Sequence, residues 1–234
     1  MDKQEILTDL SNKILCEHHR PGDPLIERDL CERYQISRTP MREILWSLVE
    51  KGLVIQQRGR GFSVRRMDAN QLREVFEARQ GLEGFAARLC CRKCTAAEVA
   101  RFEQLNRNLQ ELSEEQLCNE GIALGRSMHR LIIETGDNAL LNEMYGKVNN
   151  LVSLTSNMTR RVIGIEVESR LAHIGIIDAI LSGDEEASER RMREHIHSTY
   201  CALLNTLHPG AAEAFTDSGA THRQTREPAP ERRV

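Results

Sequence analysis

The sequence predicts a mainly α protein with two domains: a small N-terminal domain of three helices and a β-hairpin, and a C-terminal antiparallel bundle of helices. Three observations predict this fold. Apolar residues recur every three or four positions along most of the chain, as in amphipathic helices. Short runs typical of β-strands lie near residues 53–64. Basic residues are concentrated in one segment of a chain whose net charge is −3.

The third helix of the first domain is predicted to begin at Arg38. Ser37 can cap this helix with its hydroxyl, and Pro40 is tolerated because the first turn has no intrahelical partner for the N–H that proline lacks. Arg38 and Arg42 lie four residues apart and therefore share one face. The apolar face consists of Met41, Ile44, Leu45 and Leu48. One side of the helix can pack, and the other presents two guanidinium groups.

The other elements of this domain surround that helix. Apolar spacing predicts a first helix at about residues 6–15 and a second helix from Glu27 to Tyr34. After the third helix, Leu53–Ile55 and Phe62–Val64 predict two strands joined by the basic turn Arg58–Gly61. Three helices followed by a hairpin form a winged helix-turn-helix, whose third helix enters the major groove of DNA.

Positive charge is concentrated in the same domain. The segment from Arg33 to Arg66 holds eight Arg or Lys residues against two Glu residues. Such a local excess points to a polyanion partner, and a solvated basic face is the alternative. Aromatic residues make up only 4% of the chain, which argues against a stacking platform for single-stranded nucleic acid.

Composition also bears on location. Seven cysteines, an odd number, and the lack of a signal-peptide pattern at the N terminus predict reduced thiols in the cytoplasm. No stretch approaches the ~20 apolar residues that span a bilayer, so we expect no membrane partner. A chain of 234 residues is long enough for two domains, each with its own core.

Domain boundaries follow from these patterns. We expect the winged domain over residues 1–66, a linker over 67–70, a helical domain over 71–207 and a disordered tail over 208–234. Successive amphipathic helices with short connections predict an antiparallel bundle, whose interior is a natural place for a ligand pocket. In the helix expected at about 138–158, the residues predicted to be buried are Leu140, Leu141, Met144, Val148, Leu151 and Leu154.

Arg79 lies on the apolar stripe of the first bundle helix. A guanidinium there needs an anion, either Glu83 one turn further on or the carboxylate of a bound ligand. Cys90, Cys91 and Cys94 follow and include a Cys-x-x-Cys pair without a second pair downstream. Structural zinc usually needs four ligands, so we interpret these cysteines as ordinary thiols.

Three histidines lie on the apolar faces of three different expected helices: His129, His173 and His195. A lone histidine on such a face is usually a core residue. Three histidines on the inward faces of one bundle can instead converge, and three imidazoles suit zinc, nickel or a similar divalent ion. Spacing alone leaves both interpretations open.

Four segments of the first domain carry recognisable motifs: 21–30, 36–45, 52–54 and 60–64. Together they resemble the N-terminal domain of the GntR family of bacterial transcription regulators. The resemblance implies operator contacts by Arg28, Arg38, Thr39 and Arg42, with Gly61 at the tip of the wing. A bidentate arginine on guanine is the commonest specific major-groove contact, which supports the arginines. We add three neighbouring candidates: Ser37, Arg58 and Arg60.

The helical domain carries a second set of motifs. His129, Leu171–Ile174 and Met192–Ile196 resemble the C-terminal effector domain of the FCD, or FadR-like, subgroup of GntR regulators. This resemblance implies a bundle that holds a divalent metal on three histidines and one aspartate, over a pocket for small carboxylates. The aspartate expected one turn before the first histidine is Gly125 here. The site is therefore either a three-histidine site completed by water or effector, or a site that no longer binds metal.

We therefore predict a DNA-binding transcription regulator that represses as a homodimer on a pseudo-palindromic operator. Its effector-binding residues are expected to be Arg79, His129, His173 and His195, and the three histidines are also the expected metal ligands.

Three alternatives stay open: an acyl-CoA-responsive regulator without metal, a metalloenzyme that activates water on the histidines, and a helical scaffold. The enzyme lacks an inward general base, because Glu194 points away from the face of His195. The scaffold does not explain a basic hairpin beside two spaced arginines.

Overall fold

The fold is mainly α, as predicted. The structure is a computed structural model that describes residues 1–16, 18–159 and 164–207, without the side chains of 156–159 and 207. The predicted tail over 208–234 lies outside the described residues. Within the described residues, no helix is both long enough and apolar enough to cross a bilayer.

The N-terminal domain is a winged helix-turn-helix. Its helices are α1 (Lys3–Leu15), α2 (Glu27–Tyr34) and α3 (Arg38–Glu50), and its strands are β1 (Pro24–Leu25), β2 (Val54–Gln57) and β3 (Gly61–Val64). The strands form an antiparallel sheet in the order β1-β3-β2, with Val54 opposite Val64 and Pro24 opposite Ser63. Strand β1 was not predicted, because its two residues become a strand only through pairing with β3.

Local hydrogen bonds mark the helix starts. Helix α1 begins with a capping box, in which Asp2 and Glu5 each accept from the other's backbone N–H. Ser37 occupies the position before α3, but its hydroxyl makes no capping hydrogen bond. The predicted capping is therefore wrong. A serine cap accepts from the second or third helical N–H, and the third residue here is Pro40, which has none.

Aliphatic side chains from all three helices and the sheet form the core of this domain. Its most deeply buried members are Leu10, Met41, Ile44, Leu45, Leu48, Val54 and Val64. The apolar stripe predicted on α3 is thus confirmed. Burying these side chains fixes the orientation of α3, so its opposite face stays exposed to solvent.

The C-terminal domain is a helical bundle. Its helices are α4 (Ala69–Lys93), α5 (Ala96–Glu111), α6 (Glu114–Gln116), α7 (Ile122–Thr135), α8 (Ala139–Thr159), α9 (Ile165–Leu181) and α10 (Glu185–Leu207). A π-helical turn, Leu117–Gly121, separates α6 from α7. Helix α4 packs along α10, and their buried faces contribute to one apolar core.

The inward stripe of α8 begins one residue later than predicted. Leu141 and Tyr145 are buried, whereas Leu140 is 66% exposed and Met144 is 48% exposed. The predicted burial of Leu140 and Met144 is therefore wrong. Leu140 and Met144 are apolar and lie one turn apart, so they also form a possible inward stripe. The packing of α8 against α4 buries the stripe of Leu141 and Tyr145 instead.

Helix α8 also joins the two domains. Its Leu154 is buried within the apolar core of the winged domain. Leu151, one turn earlier, packs against Gly52, where a Cβ atom would lie 3.0 Å from Leu151 Cδ2. Gly52 has a φ of +77°, so a glycine is favoured there for its backbone conformation and for this close contact. A bundle helix thus packs directly on the winged domain.

Candidate DNA-binding face and histidine cavity

All eight candidate DNA contacts lie on the surface of the winged domain: Arg28, Ser37, Arg38, Thr39, Arg42, Arg58, Arg60 and Gly61. They come from three places, namely the start of α2, the first turns of α3 and the turn between β2 and β3. Exposure of the basic side chains leaves them free to approach a phosphate backbone or the edges of base pairs.

Folding brings part of this set together around one concave surface. Arg28, Arg38, Arg60 and Gly61 line a cleft of about 310 Å³ between the start of α2, the start of α3 and the wing. Arg38 makes no ion pair within the described residues, whereas Arg28 contacts its neighbour Asp29 at 3.2 Å. The cleft joins arginines from the helix-turn-helix and from the wing, which the sequence alone did not bring together.

Arg42 is held by an acidic residue that sequence reasoning missed. Its Nε donates a hydrogen bond to Oε2 of Glu27 over 2.7 Å, and the Arg42 side chain remains 63% exposed. Glu27 is fifteen positions earlier, on α2, so no helical spacing links the two residues. The pair leaves the terminal nitrogens of Arg42 available for a base edge.

The wing is connected to α3 by an aromatic pair. The rings of Trp46 and Phe62 are 5.7 Å apart with an interplanar angle of 88°, which is an edge-to-face contact. Trp46 follows Arg42 by one turn and is 48% exposed. This contact sets β3 beside the face of α3 that carries Arg38 and Arg42.

In the bundle, the three histidines converge. His129 on α7, His173 on α9 and His195 on α10 are each buried, with 6–8% of their surface exposed. One ring nitrogen from each lies within 4.8 Å of the others, and Nε2 of His173 is 3.1 Å from Nε2 of His195. The inward convergence suggested by sequence is thus present in the structure.

The electrostatics of the cluster suit a cation. Burial lowers the pKa of His173 and of His195 well below the ordinary value, and neighbouring histidines and Arg79 lower it further. Both rings are therefore neutral at pH 7, and each has one nitrogen lone pair that can coordinate a metal ion. Zinc–nitrogen bonds of about 2.0–2.1 Å place tetrahedral ligand atoms roughly 3.3 Å apart, so a small adjustment of these rings accommodates such an ion.

Gly125 explains why no carboxylate stands beside the cluster on α7. A Cβ atom at this position would lie 3.0 Å from Nδ1 of His173 and closer still to its Cε1. The imidazole of His173 occupies the space that a side chain at position 125 would need. With His173 in this position, an aspartate side chain at position 125 would have no room.

A buried carboxylate approaches the cluster from α4 instead. Glu83 is 1% exposed; its Oε1 accepts a hydrogen bond from Arg79 Nε over 2.6 Å, and its Oε2 lies 2.5 Å from Nδ1 of His129. Burial raises the pKa of Glu83, but the positive charge of Arg79 and the contact with His129 outweigh it and lower the pKa to about 2. Of the two anions proposed for Arg79, Glu83 is the one in contact.

Arg79 also lines a cavity that the three histidines share. The cavity has a volume of about 120 Å³ and lies between α7, α9, α10 and the π-helical turn. Sequence reasoning missed five of its polar lining residues: Arg126, Glu166, Ser169, Arg170 and Thr199. Arg126 and Arg170 bring two further guanidinium groups to the wall. Their participation carried no sequence signal, because exposed arginines are common on helices.

The three cysteines of α4 and its C terminus behave as ordinary thiols. Burial raises the pKa of Cys90, Cys91 and Cys94, so none is a thiolate at neutral pH. Cys91 lies 3.2 Å from the hydroxyl of Ser188 on α10. Among the described residues, the cluster of side chains that could hold a metal ion consists of the three histidines and includes no cysteine.

Comparison with known proteins identifies both domains. The sequence model described as "Bacterial regulatory proteins, gntR family" matches residues 2–64, and the one described as "FCD domain" matches residues 74–198. The chain is 26% identical over 213 residues to the Nta operon transcriptional regulator of Aminobacter aminovorans, covering 89% of this chain and 98% of that protein.

Two further comparisons agree with the assignment of both domains. The chain is 27% identical over 177 residues to the HTH-type transcriptional repressor RspR of Escherichia coli (strain K12), covering 75% of this chain and 77% of that protein. The solved structure of E. coli McbR/YncC has a TM-score of 0.71 at 22% identity, covering 88% of this chain and 98% of that one, which shows a shared fold.

The metalloenzyme alternative is set aside, because these relatives are named as regulators of transcription. A winged helix-turn-helix with an exposed basic face precedes a helical bundle with a histidine cavity, and each domain matches the corresponding family description. The chain is therefore a transcriptional regulator that belongs to the GntR family and carries a C-terminal FCD domain.

Proposed function

We propose that this protein is a metabolite-responsive repressor. It binds a pseudo-palindromic operator as a homodimer in the cytoplasm, and a small carboxylate in the histidine cavity releases it from DNA. One observation carries the proposal: a single cavity is lined by the three histidines together with the side chains of Arg79, Arg126 and Arg170. A relative named as a repressor supports the sign of regulation.

On the DNA side, α3 is the recognition element. Arg38 and Arg42 are exposed on its outer face, and Arg60 joins Arg38 at the cleft beside the wing. In a two-fold symmetric dimer, two α3 helices reach successive major grooves about 34 Å apart, which requires an operator with matching half-sites. The guanidinium groups read guanines, and the wing arginines contact phosphates.

On the effector side, His129, His173 and His195 would hold a divalent ion such as zinc or nickel. When bound, such an ion supplies a positive centre to which a carboxylate oxygen coordinates. Arg126 and Arg170 line the same cavity and offer hydrogen-bond donors to further oxygens of the ligand. Three guanidinium groups line the cavity against the single carboxylate of Glu166, and this excess of positive charge favours an anion over a neutral or cationic ligand.

Cavity size favours a small carboxylate over an acyl-CoA. The cavity of about 120 Å³ suits a carboxylate of a few carbon atoms, whereas a coenzyme A thioester, with dozens of non-hydrogen atoms, would extend well beyond it.

Helix α8 offers a physical route from the cavity to the DNA-binding domain. It packs against α4, which carries Arg79 and Glu83, and its Leu154 is inserted into the core of the winged domain. A ligand that binds one arrangement of α4 and α8 more tightly than another biases the spacing of the two α3 helices. Release from DNA then follows from differential affinity for the two arrangements.

The test starts from the full-length protein without a histidine tag. Operator sequences are selected from random duplex DNA, and fluorescence anisotropy then measures affinity in the presence of a panel of small carboxylates, with and without zinc. We expect a palindromic motif and release by at least one carboxylate. Selection of no motif would contradict the DNA assignment, and unchanged affinity across the panel would contradict the effector assignment.

A further inference from the structure

Glu83 is a buried acidic side chain whose second oxygen reaches beyond its partner on the same helix. Its Oε1 is engaged by Arg79, which would suffice to neutralise a buried carboxylate. Its Oε2 nevertheless lies 2.5 Å from Nδ1 of His129, on a different helix. Within the described residues, neither atom makes a hydrogen bond of standard geometry, so the two face each other at 2.5 Å without another partner. The carboxylate therefore bridges α4 and the histidine cluster.

The geometry bears on which ring nitrogen of His129 carries the proton. A neutral imidazole has one N–H and one lone pair, and a neighbouring hydrogen bond selects between the two tautomers. An ionised carboxylate accepts hydrogen bonds and cannot donate them. With Glu83 against Nδ1, the proton belongs on Nδ1, which leaves the lone pair of Nε2 free for the cluster.

We infer that Glu83 is the positioning residue of the histidine site, holding His129 in the Nδ1–H tautomer and in the orientation that completes the cluster. This inference rests on the metal site proposed above. It also explains how the site tolerates Gly125. Helix α7 supplies no carboxylate that could bind the metal directly. Glu83 of α4 supplies a carboxylate that contacts a proposed ligand, His129.

The charge balance is consistent with this role. Arg79 compensates Glu83, so the pair is neutral overall and places no net charge beside the three imidazoles. Glu83 therefore acts through the orientation and basicity of His129. Partners of this kind fix the ring and strengthen the ligand, and their loss typically lowers metal affinity about 10- to 100-fold.

A purely structural role is the competing explanation. Glu83 could serve only to neutralise Arg79, with the approach to His129 incidental. The two explanations differ in what happens when both charges are removed together. If Glu83 serves only Arg79, replacing the pair by apolar residues leaves the tautomer of His129 unchanged. If Glu83 positions His129, the same replacement changes the tautomer and weakens the site.

The experiment uses the double variant Arg79→Met/Glu83→Leu in the full-length, untagged protein. Removing both partners avoids an unpaired buried charge, which the single Glu83→Leu change would leave. The matched control is Arg73→Met/Glu77→Leu, which removes another i,i+4 ion pair of α4 and none of the residues that line the cavity. Circular dichroism and thermal melting establish that both variants are folded.

The first measurement is the histidine tautomer in metal-free protein. Nitrogen-15 NMR of histidine-labelled protein distinguishes Nδ1–H from Nε2–H rings, and the His129→Gln variant assigns the His129 signals. We expect the Nδ1–H form in the parent and in the control, and a shift toward Nε2–H in the double variant. A parent His129 in the Nε2–H form, or a tautomer unchanged by the double variant, would overturn the inference.

The second measurement is the affinity for zinc and for cobalt, by calorimetry and by cobalt absorption. We expect the double variant to bind about 10- to 100-fold more weakly than the parent and the control. Equal affinities would overturn the inference while leaving the metal site intact. A parent protein that binds neither ion would overturn the proposed metal site, and the tautomer measurement would then decide the role of Glu83 by itself.

Discussion

The Nε of Arg42 donates a hydrogen bond to Oε2 of Glu27, so a residue of α2 holds a guanidinium group of the recognition helix at 2.7 Å. The contact restricts a long side chain that would otherwise sample many rotamers, and it leaves Arg42 63% exposed. Ordering the side chain before DNA arrives lowers the entropic cost of a specific base contact. Glu27 is therefore as much a part of the proposed reading face as the arginine it contacts.

Replacing Glu27 by alanine should reduce the sequence specificity of DNA binding. The change frees Arg42 and removes a negative charge from the DNA-facing surface, so nonspecific affinity should stay the same or rise. The ratio of specific to nonspecific affinity should fall by about tenfold. Anisotropy titrations with operator and scrambled duplexes at two salt concentrations measure this ratio. A ratio equal to that of the parent would show that Glu27 does not prepare Arg42 for binding.

Arg38→Ala and Arg42→Ala should each weaken operator binding by about tenfold or more. Each change removes a donor fork from the outer face of α3, whereas the apolar face that anchors the helix is untouched. The control is Arg107→Ala, which removes an exposed arginine on α5, away from the winged domain. Gel-shift titration measures the three affinities. Operator affinity equal to that of the parent in both α3 variants would refute the assignment of this face.

Gly125→Ala should destabilise the protein by about 1–3 kcal/mol, because the new Cβ would overlap the imidazole of His173. Alanine ordinarily stabilises a helix relative to glycine, so a loss of stability on this change would indicate the overlap with His173. The matched control is Gly81→Ala on α4, where a Cβ meets no atom within 4 Å. That change should stabilise by roughly 0.5–1 kcal/mol. Denaturant unfolding compares the two, and stabilisation in both would contradict the packing described for His173.

Stability of the metal-free protein should fall as the pH drops below about 6.5. Burial lowers the pKa of His173 and His195 in the folded state, whereas both histidines take up protons near 6.5 when unfolded. The unfolded state therefore binds more protons below that pH, and each group costs about 1.4 kcal/mol of stability per pH unit. Urea unfolding with a chelator present, from pH 7.5 to 5, measures the slope. His195→Leu should reduce the slope, and an unchanged slope would exclude this group as its source.

Metal and carboxylate should bind cooperatively. The cluster contributes no anionic ligand of its own, because position 125 is a glycine and Glu83 is neutralised by Arg79. An anion that coordinates the ion compensates its charge, so each ligand should raise the affinity for the other by the same factor. Zinc titrations with and without a releasing carboxylate measure that factor. Chelation should abolish release from DNA, and release that persists in excess chelator would show that the carboxylate acts without metal.

Much of the fold was predictable from the chain. The apolar spacing on α3 depends on residues within a few positions of one another, and sequence displays such relations directly. The same holds for the exposed arginine pair. Strand β1 and the inward face of α8 were missed or misplaced, because pairing with β3 and packing on α4 select them from locally equivalent alternatives.

The chain by itself determined the helical character, the basic winged domain and the three histidines on inward faces, since helical periodicity and charge are properties of neighbouring residues. Tertiary structure alone decided that Glu83 stands against His129, that His173 fills the space beside Gly125, and that Glu27 holds Arg42. Each of these pairs joins different helices. Their distances depend on how all the intervening side chains pack, and no local pattern contains that information.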